Sequence, residues 1–197
     1  MSLNLGNMWN RPKKNNVILN TNSRRRNKSN NITIPKPVGF KSNNTNKPGT
    51  KSFWGMPTWL LFHSLAEKAD EKKYAIHYKV VWDFIKVICS GLPCPYCQAH
   101  AVGYTSRIPL YQVNTKEKLK KVLFDFHNAV NIRSGHSKES TSILEKYKSA
   151  NLKKILELFM KRFFVSYIGT RQFNDWHKNQ LREKTYIFWK FYTKNLI

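Results

Sequence analysis

The sequence predicts an all-α protein. Three observations carry that reading. Apolar residues recur at three- and four-residue steps in successive stretches, no stretch alternates apolar and polar residues as a strand would, and proline, glycine and capping residues punctuate the helical stretches. No internal repeat is present. The first helix is expected from Pro57 to Ala69, where Trp59, Leu60, Phe62, Leu65, Ala66 and Ala69 form an apolar face and Pro57 suits a first turn. The second carries Ile76, Val80, Phe84, Val87 and Ile88, and stops at Gly91 and Pro93. A third, short helix begins at Cys94 and Cys97. The fourth is expected between Asn114 and Val130, with Asn114 and Glu117 as a capping box and Leu119, Val122, Leu123, Phe126 and Val130 on one side. Two further aromatic-rich helices, Leu152 to Ile168 and Asn174 to Asn195, are expected to add a layer or an interface.

The formal net charge of +24 is unevenly spread. From Met1 to Lys51 there are eleven Lys and Arg residues and no Asp or Glu, among many Asn, Ser, Thr and Pro. Such a stretch cannot bury enough apolar area to offset its chain entropy, so residues 1–51 are expected to be a disordered basic arm. The arm either touches nucleic acid or acidic partners without sequence specificity, or keeps the chain soluble. The remainder divides into a helical domain at 52–149 and an aromatic-rich helical extension at 150–197. No run of about eighteen apolar residues exists and no signal-peptide core is visible, so a cytoplasmic location is expected.

The chemistry concentrates in L-P-C-P-Y-C-Q-A-H, Leu92 to His100. A redox dithiol needs a thiol of lowered pKa, which the positive end of a helix supplies. Pro93 and Pro95 put Cys94 at the cap and Cys97 one turn in, within disulfide reach. C-P-Y-C also occurs in glutaredoxins, but that fold needs a strand upstream, and Tyr74 to Ile88 has helical spacing. Zinc held by Cys94, Cys97 and His100, with Cys89 or His136 as a fourth ligand, is the alternative; no second Cys-x-x-Cys or paired-His motif accompanies it. In that alternative the chain is a zinc-binding or basic nucleic-acid-binding module. Cys89 sits on the apolar side of a helix and reads as a core residue.

Polar rings interrupt two apolar helices. Trp54, Trp59 and His63 lie in W-G-M-P-T-W-L-L-F-H, and His127, Asn128 and Asn131 lie in F-H-N-A-V-N, with His127 and Asn131 on one helix face. Taken in order and spacing, W-G-x-x-x-W-x-x-x-H, L-P-C-x-x-C-x-x-H and F-H-N-x-V-N resemble the FAD-dependent sulfhydryl oxidases of the Erv/ALR type, over about Phe53 to Lys148. The L-P-C-P-x-C-x-x-H-A form is similar to the compact members found in large DNA viruses. The resemblance implies an orthogonal four-helix bundle with a short fifth helix, FAD in its mouth, and a homodimer.

By the same resemblance, Cys94 exchanges with the substrate thiol and Cys97 lies against the flavin. Gly55, Trp59, His63, His127, Asn128 and Asn131 contact FAD, together with Tyr147 and Lys148 at the fifth helix. Lys138 or His136 meets the FAD phosphates. Electrons pass from the dithiol to FAD and on to O2, giving H2O2. Many relatives carry a shuttle Cys pair on a flexible tail; this chain has none there, which implies a separate dithiol protein as substrate or shuttle. The viral likeness implies host cytoplasm or virion as the location.

Overall fold

The computed structural model describes residues 48–167 and 175–197. Every regular element among these residues is a helix, so the chain is all-α. The helices are α1 (Lys51–Lys68), α2 (Glu71–Ser90), α3 (Pro95–Thr105), α4 (Lys116–Arg133), α5 (Leu152–Val165) and α6 (Asp175–Asn195). Two 3₁₀ segments, Leu110–Gln112 and Thr141–Tyr147, precede α4 and α5. The second stands where the short fifth helix is expected. No helix among the described residues is long and apolar enough to cross a membrane.

Local chemistry sets most of the boundaries. Asp70 caps α2 by accepting the Lys73 backbone N–H at 2.9 Å, and Asn151 caps α5 through Lys154 N at 3.0 Å. Three expectations are corrected. First, α1 begins at Lys51, so Pro57 lies inside the helix. The added turns bury Trp54 edge-on against Phe163 of α5, and Thr58 Oγ1 donates to the Trp54 carbonyl at 2.7 Å. Second, the α4 cap is Thr115, whose Oγ1 accepts from Lys118 N at 3.3 Å. Asn114 instead accepts from the Lys118 ammonium, and Glu117 pairs with Lys120. Third, the buried face of α2 carries Tyr74, Val81, Ile85 and Ile88, which leaves Ile76 74% exposed.

Helix α1 is the centre of the fold. It packs against α5, α4 and the Thr141–Tyr147 segment, while α2 packs against α3, α4 and α6. The two C-terminal helices share this core. Phe159, Phe163 and Phe164 of α5 are buried, and Phe188 of α6 stacks on Phe84 of α2 with ring centroids 3.7 Å apart. Tyr192 donates its hydroxyl to the Leu65 carbonyl at 2.7 Å, and the Leu196 carbonyl accepts the Asp70 N–H at 2.8 Å. Gly91 ends α2 where a side chain would collide with Leu181 of α6, so glycine is what allows the close approach. The expected end at Ile168, the start at Asn174 and nearly all of the 1–51 arm lie outside the described residues.

Because α6 closes the core over α2, Phe188→Ala is expected to destabilise the protein by about 3–5 kcal/mol. Tyr186→Ala, on the exposed side of the same helix, should change stability by no more than about 0.5 kcal/mol. Urea unfolding followed by circular dichroism measures both; equal, small effects would show that α6 is not part of the core.

Candidate active site

Cys94 is the cap residue of α3, and Pro95 occupies the first helical position, where its missing N–H costs nothing. The Cys94 sulfur accepts the Cys97 backbone N–H at 3.3 Å and faces the Cys97 sulfur at 2.6 Å. The Cys97 thiol hydrogen bond holds the Cys94 pKa down to about 6, aided by the Cys97 N–H, Lys51 and the Tyr96 N–H against the cost of burial. Donation to the Cys94 sulfur, together with burial, pushes the Cys97 pKa upward. The pair therefore holds one thiolate, placed on Cys94, and one retained proton. Cys89 is a different case: it is fully enclosed in α2 and burial pushes its thiol up to about 12.

A stack of rings is built between α1, α4 and the Thr141–Tyr147 segment. Trp59 lies flat on His127, centroids 4.1 Å apart at 8°. His63 follows at 5.4 Å from His127, and Tyr147 at 4.8 Å from His63. His63 Nε2 and His127 Nδ1 are 3.2 Å apart, so one carries the shared proton and the other accepts it. Burial, then the neighbouring His127 and Lys146 charges, lower the His63 pKa to about 3; burial and Lys146 lower His127 to about 4. Both imidazoles are neutral at ordinary pH. Phe126 links this stack to the cysteine helix, with its ring 5.1 Å from Trp59, 4.4 Å from Tyr104 and 6.4 Å from His100.

Trp59, His63, His127 and Tyr147 are thus brought together, with Gly55 one turn before Trp59 and open space where its side chain would be. Asn128 holds a neighbouring loop. Its amide donates to the Glu139 carbonyl at 3.2 Å and accepts the Glu139 N–H at 2.9 Å, pinning the loop that carries Lys138. That loop turns at Gly135, whose φ of 78° lies in the left-handed region, and the Asn131 carbonyl accepts the His136 N–H. Lys138 and His136 are exposed there. Lys148 is exposed, paired with Glu145 at 2.6 Å, and its carbonyl accepts the Lys68 ammonium.

Among the described residues, no three His, Cys, Asp or Glu side chains form a metal-binding group, and the zinc alternative gains no support. Burial, then the Arg133 and Arg107 charges, lower the His100 pKa. Sequence reasoning missed Lys146, Phe126 as the link between helices, and the cations at Tyr96, where the Arg133 guanidinium lies 4.2 Å and the Lys51 ammonium 5.9 Å from the ring centroid. A basic residue at a helix end is no signal by itself; these act through contacts between elements far apart in the chain.

A dithiol with one stabilised thiolate, joined through Phe126 to a stack of neutral rings, is the kind of site a dithiol redox protein needs. Comparison with known proteins agrees. Residues 56–151 match the sequence model of the Erv1 / Alr family. The chain is 32% identical over 88 residues to 347L of Invertebrate iridescent virus 6, covering 42% of this chain and 79% of that protein. It is 35% identical over 81 residues to 096R of Invertebrate iridescent virus 3, covering 41% and 55%. Both are named as candidate FAD-linked sulfhydryl oxidases. The FAD-linked sulfhydryl oxidase of African swine fever virus is 34% identical over 85 residues, covering 43% of this chain and 66% of that protein. No solved structure matches the chain. This chain belongs to the Erv1 / Alr family. It spans little more than half the length of 096R.

The thiol chemistry is directly measurable. Alkylation of Cys94 by iodoacetamide should follow a titration with midpoint near pH 6, and Cys97→Ala should move that midpoint upward; a wild-type midpoint near 9 would contradict the assignment. The imidazoles give a second test. Unfolded histidines titrate near the ordinary 6.5, well above the folded values of about 3 and about 4. The unfolded state therefore binds more protons below pH 6.5, and stability, flat above that, is lost as pH falls towards 4. His127→Gln should flatten the fall of the urea midpoint between pH 7 and 4, and an unchanged slope would remove His127 from that account.

Proposed function

We propose that the chain is an FAD-dependent sulfhydryl oxidase that forms disulfides in a partner dithiol protein, with O2 as final acceptor and H2O2 as product. The observation that carries this reading is the Cys94–Cys97 pair with its single stabilised thiolate, linked through Phe126 to the ring stack. The relatives' names support the cofactor, and the viral relatives support the host cytoplasm or the virion as its place of action. Family resemblance supports a homodimer.

The residues fit a flavin. The half-buried Trp59 and His127 offer flat rings without charge, backed by the buried His63 and Tyr147, and Gly55 leaves room one turn before Trp59. Lys148, and Lys138 on the loop that Asn128 fixes, are cations suited to the phosphates, with Asn131 at the base of that loop. When bound, FAD supplies the two-electron acceptor that amino-acid side chains lack.

The dithiol steps follow from the sulfur electrostatics. A substrate thiolate attacks Cys94 Sγ of the Cys94–Cys97 disulfide, and Cys97 departs with the electron pair and gains a proton, in keeping with its raised pKa. The second substrate thiolate attacks the substrate sulfur of the mixed disulfide, and Cys94 departs. A thiolate of low pKa leaves faster, so lowering the Cys94 pKa accelerates the step that releases oxidised substrate. Lys51 contributes to that lowering.

Oxygen consumption with dithiothreitol, read beside the absorption spectrum of the purified chain, tests the proposal. A flavin spectrum and steady turnover are expected. Cys94→Ser and Cys97→Ser should each abolish turnover with helicity retained, whereas Cys89→Ser should keep most of it. Protein that neither retains added FAD nor consumes oxygen would refute the reading.

A further inference from the structure

The surroundings of the dithiol are one-sided in charge. No Asp or Glu occurs between Phe84 and Lys116, although the chain has eleven elsewhere. Over much of the surface the acids neutralise lysines: Lys79, Lys86, Lys120, Lys121, Lys148 and Lys178 each pair with a carboxylate. Beside Cys94 the pattern reverses. Tyr96, between the two cysteines, is 42% exposed and gathers Arg133 from the end of α4 and Lys51 from the start of α1 onto its ring. Among the described residues, neither cation has a carboxylate partner.

The ring matters to what these cations can do. A guanidinium held over an aromatic face keeps its N–H edge available for bidentate contact with a carboxylate, and it has surrendered part of its hydration already. Three elements contribute to the patch, so it is placed by the fold and not by a single flexible tail. Tyr96 lies two residues after Cys94, so the patch borders the sulfur that a partner's thiol would attack.

We propose that Tyr96, Arg133 and Lys51 form a docking surface for a dithiol protein whose reactive cysteine is flanked by Asp or Glu. This rests on the oxidase reading for the identity of the site, and it adds the charge of the partner. Complementary charge at the rim raises the encounter rate and penalises basic partners, with an effect that salt screens.

The test uses the full-length chain carrying Cys97→Ser and two peptides, each with one cysteine activated as its thionitrobenzoate disulfide, flanked by glutamates in one and by lysines in the other. The Cys94 thiolate attacks the peptide sulfur, a Cys94–peptide disulfide forms, and thionitrobenzoate leaves with the electron pair and is read by its absorbance. No flavin or oxygen takes part, so failure of the oxidase reading would appear separately, as absence of oxygen consumption by the wild-type chain. At low salt the glutamate peptide should react about tenfold faster, and the ratio should fall towards one in high salt. Arg133→Glu should collapse the ratio at low salt, with Lys51→Glu as a second variant should the first fail to fold. Equal rates, or a preference for the lysine peptide, would overturn the proposal. So would a ratio that survives both substitutions, because the attraction would then come from elsewhere in a chain of net charge +24.

Discussion

Six consecutive residues of α1, Leu61 to Ala66, are buried. A helix enclosed along a full turn and a half must be covered on every side, and the rest of the structure answers that constraint. Helix α5 covers one side through Phe159 and Phe163, and α4 and the Thr141–Tyr147 segment cover the other. The Tyr192 hydroxyl reaches the Leu65 carbonyl near the C-terminal end of α1. His63 is among the six, and its polar ring tolerates burial because it stays neutral and shares a hydrogen bond with His127. The packing of α1 and the ring stack therefore share His63.

Charge is handled in opposite ways at the two halves of the site. At the ring stack, burial and the Lys146 charge keep both imidazoles uncharged. At the dithiol, a helix N-terminus, the Cys97 thiol and Lys51 favour a negative sulfur. These environments are joined by Phe126, an apolar spacer that touches Trp59 on one side and His100 and Tyr104 on the other. A flat neutral surface suits a planar redox cofactor, and a stabilised thiolate suits disulfide exchange. Neither function would be served by exchanging the two settings.

Much of this was legible in the sequence, and the failures have physical reasons. The Cys94 cap could be read because Pro95 fixes the first helical position. The all-helical class and the gathering of Trp59, His63 and His127 followed from spacing and motif. The α4 cap was misplaced by one residue because Asn114 and Thr115 can both cap, and the Lys118 side chain occupies Asn114. Ile76 was misassigned since 3.6 residues per turn leaves two neighbouring faces of α2 with apolar residues, and only contact with α3, α4 and α6 chooses between them. Asn128 has an unforeseen duty on the Glu139 backbone, and the Tyr96 cations join three elements. Contacts of that kind exist only after folding.

The central claim is that the ring stack is the cofactor surface, and His127 is its most exposed test. Melting temperatures of wild-type and His127→Ala protein, each with and without FAD, measure the stabilisation that binding confers. Loss of the ring and its hydrogen bond should cost about 2 kcal/mol of binding, roughly a thirtyfold loss of affinity. The account predicts that the FAD-dependent increment in melting temperature shrinks in the variant at equal FAD concentration. An increment equal to that of the wild type, with both forms of the variant lowered alike, would make His127 a packing residue and place the cofactor elsewhere.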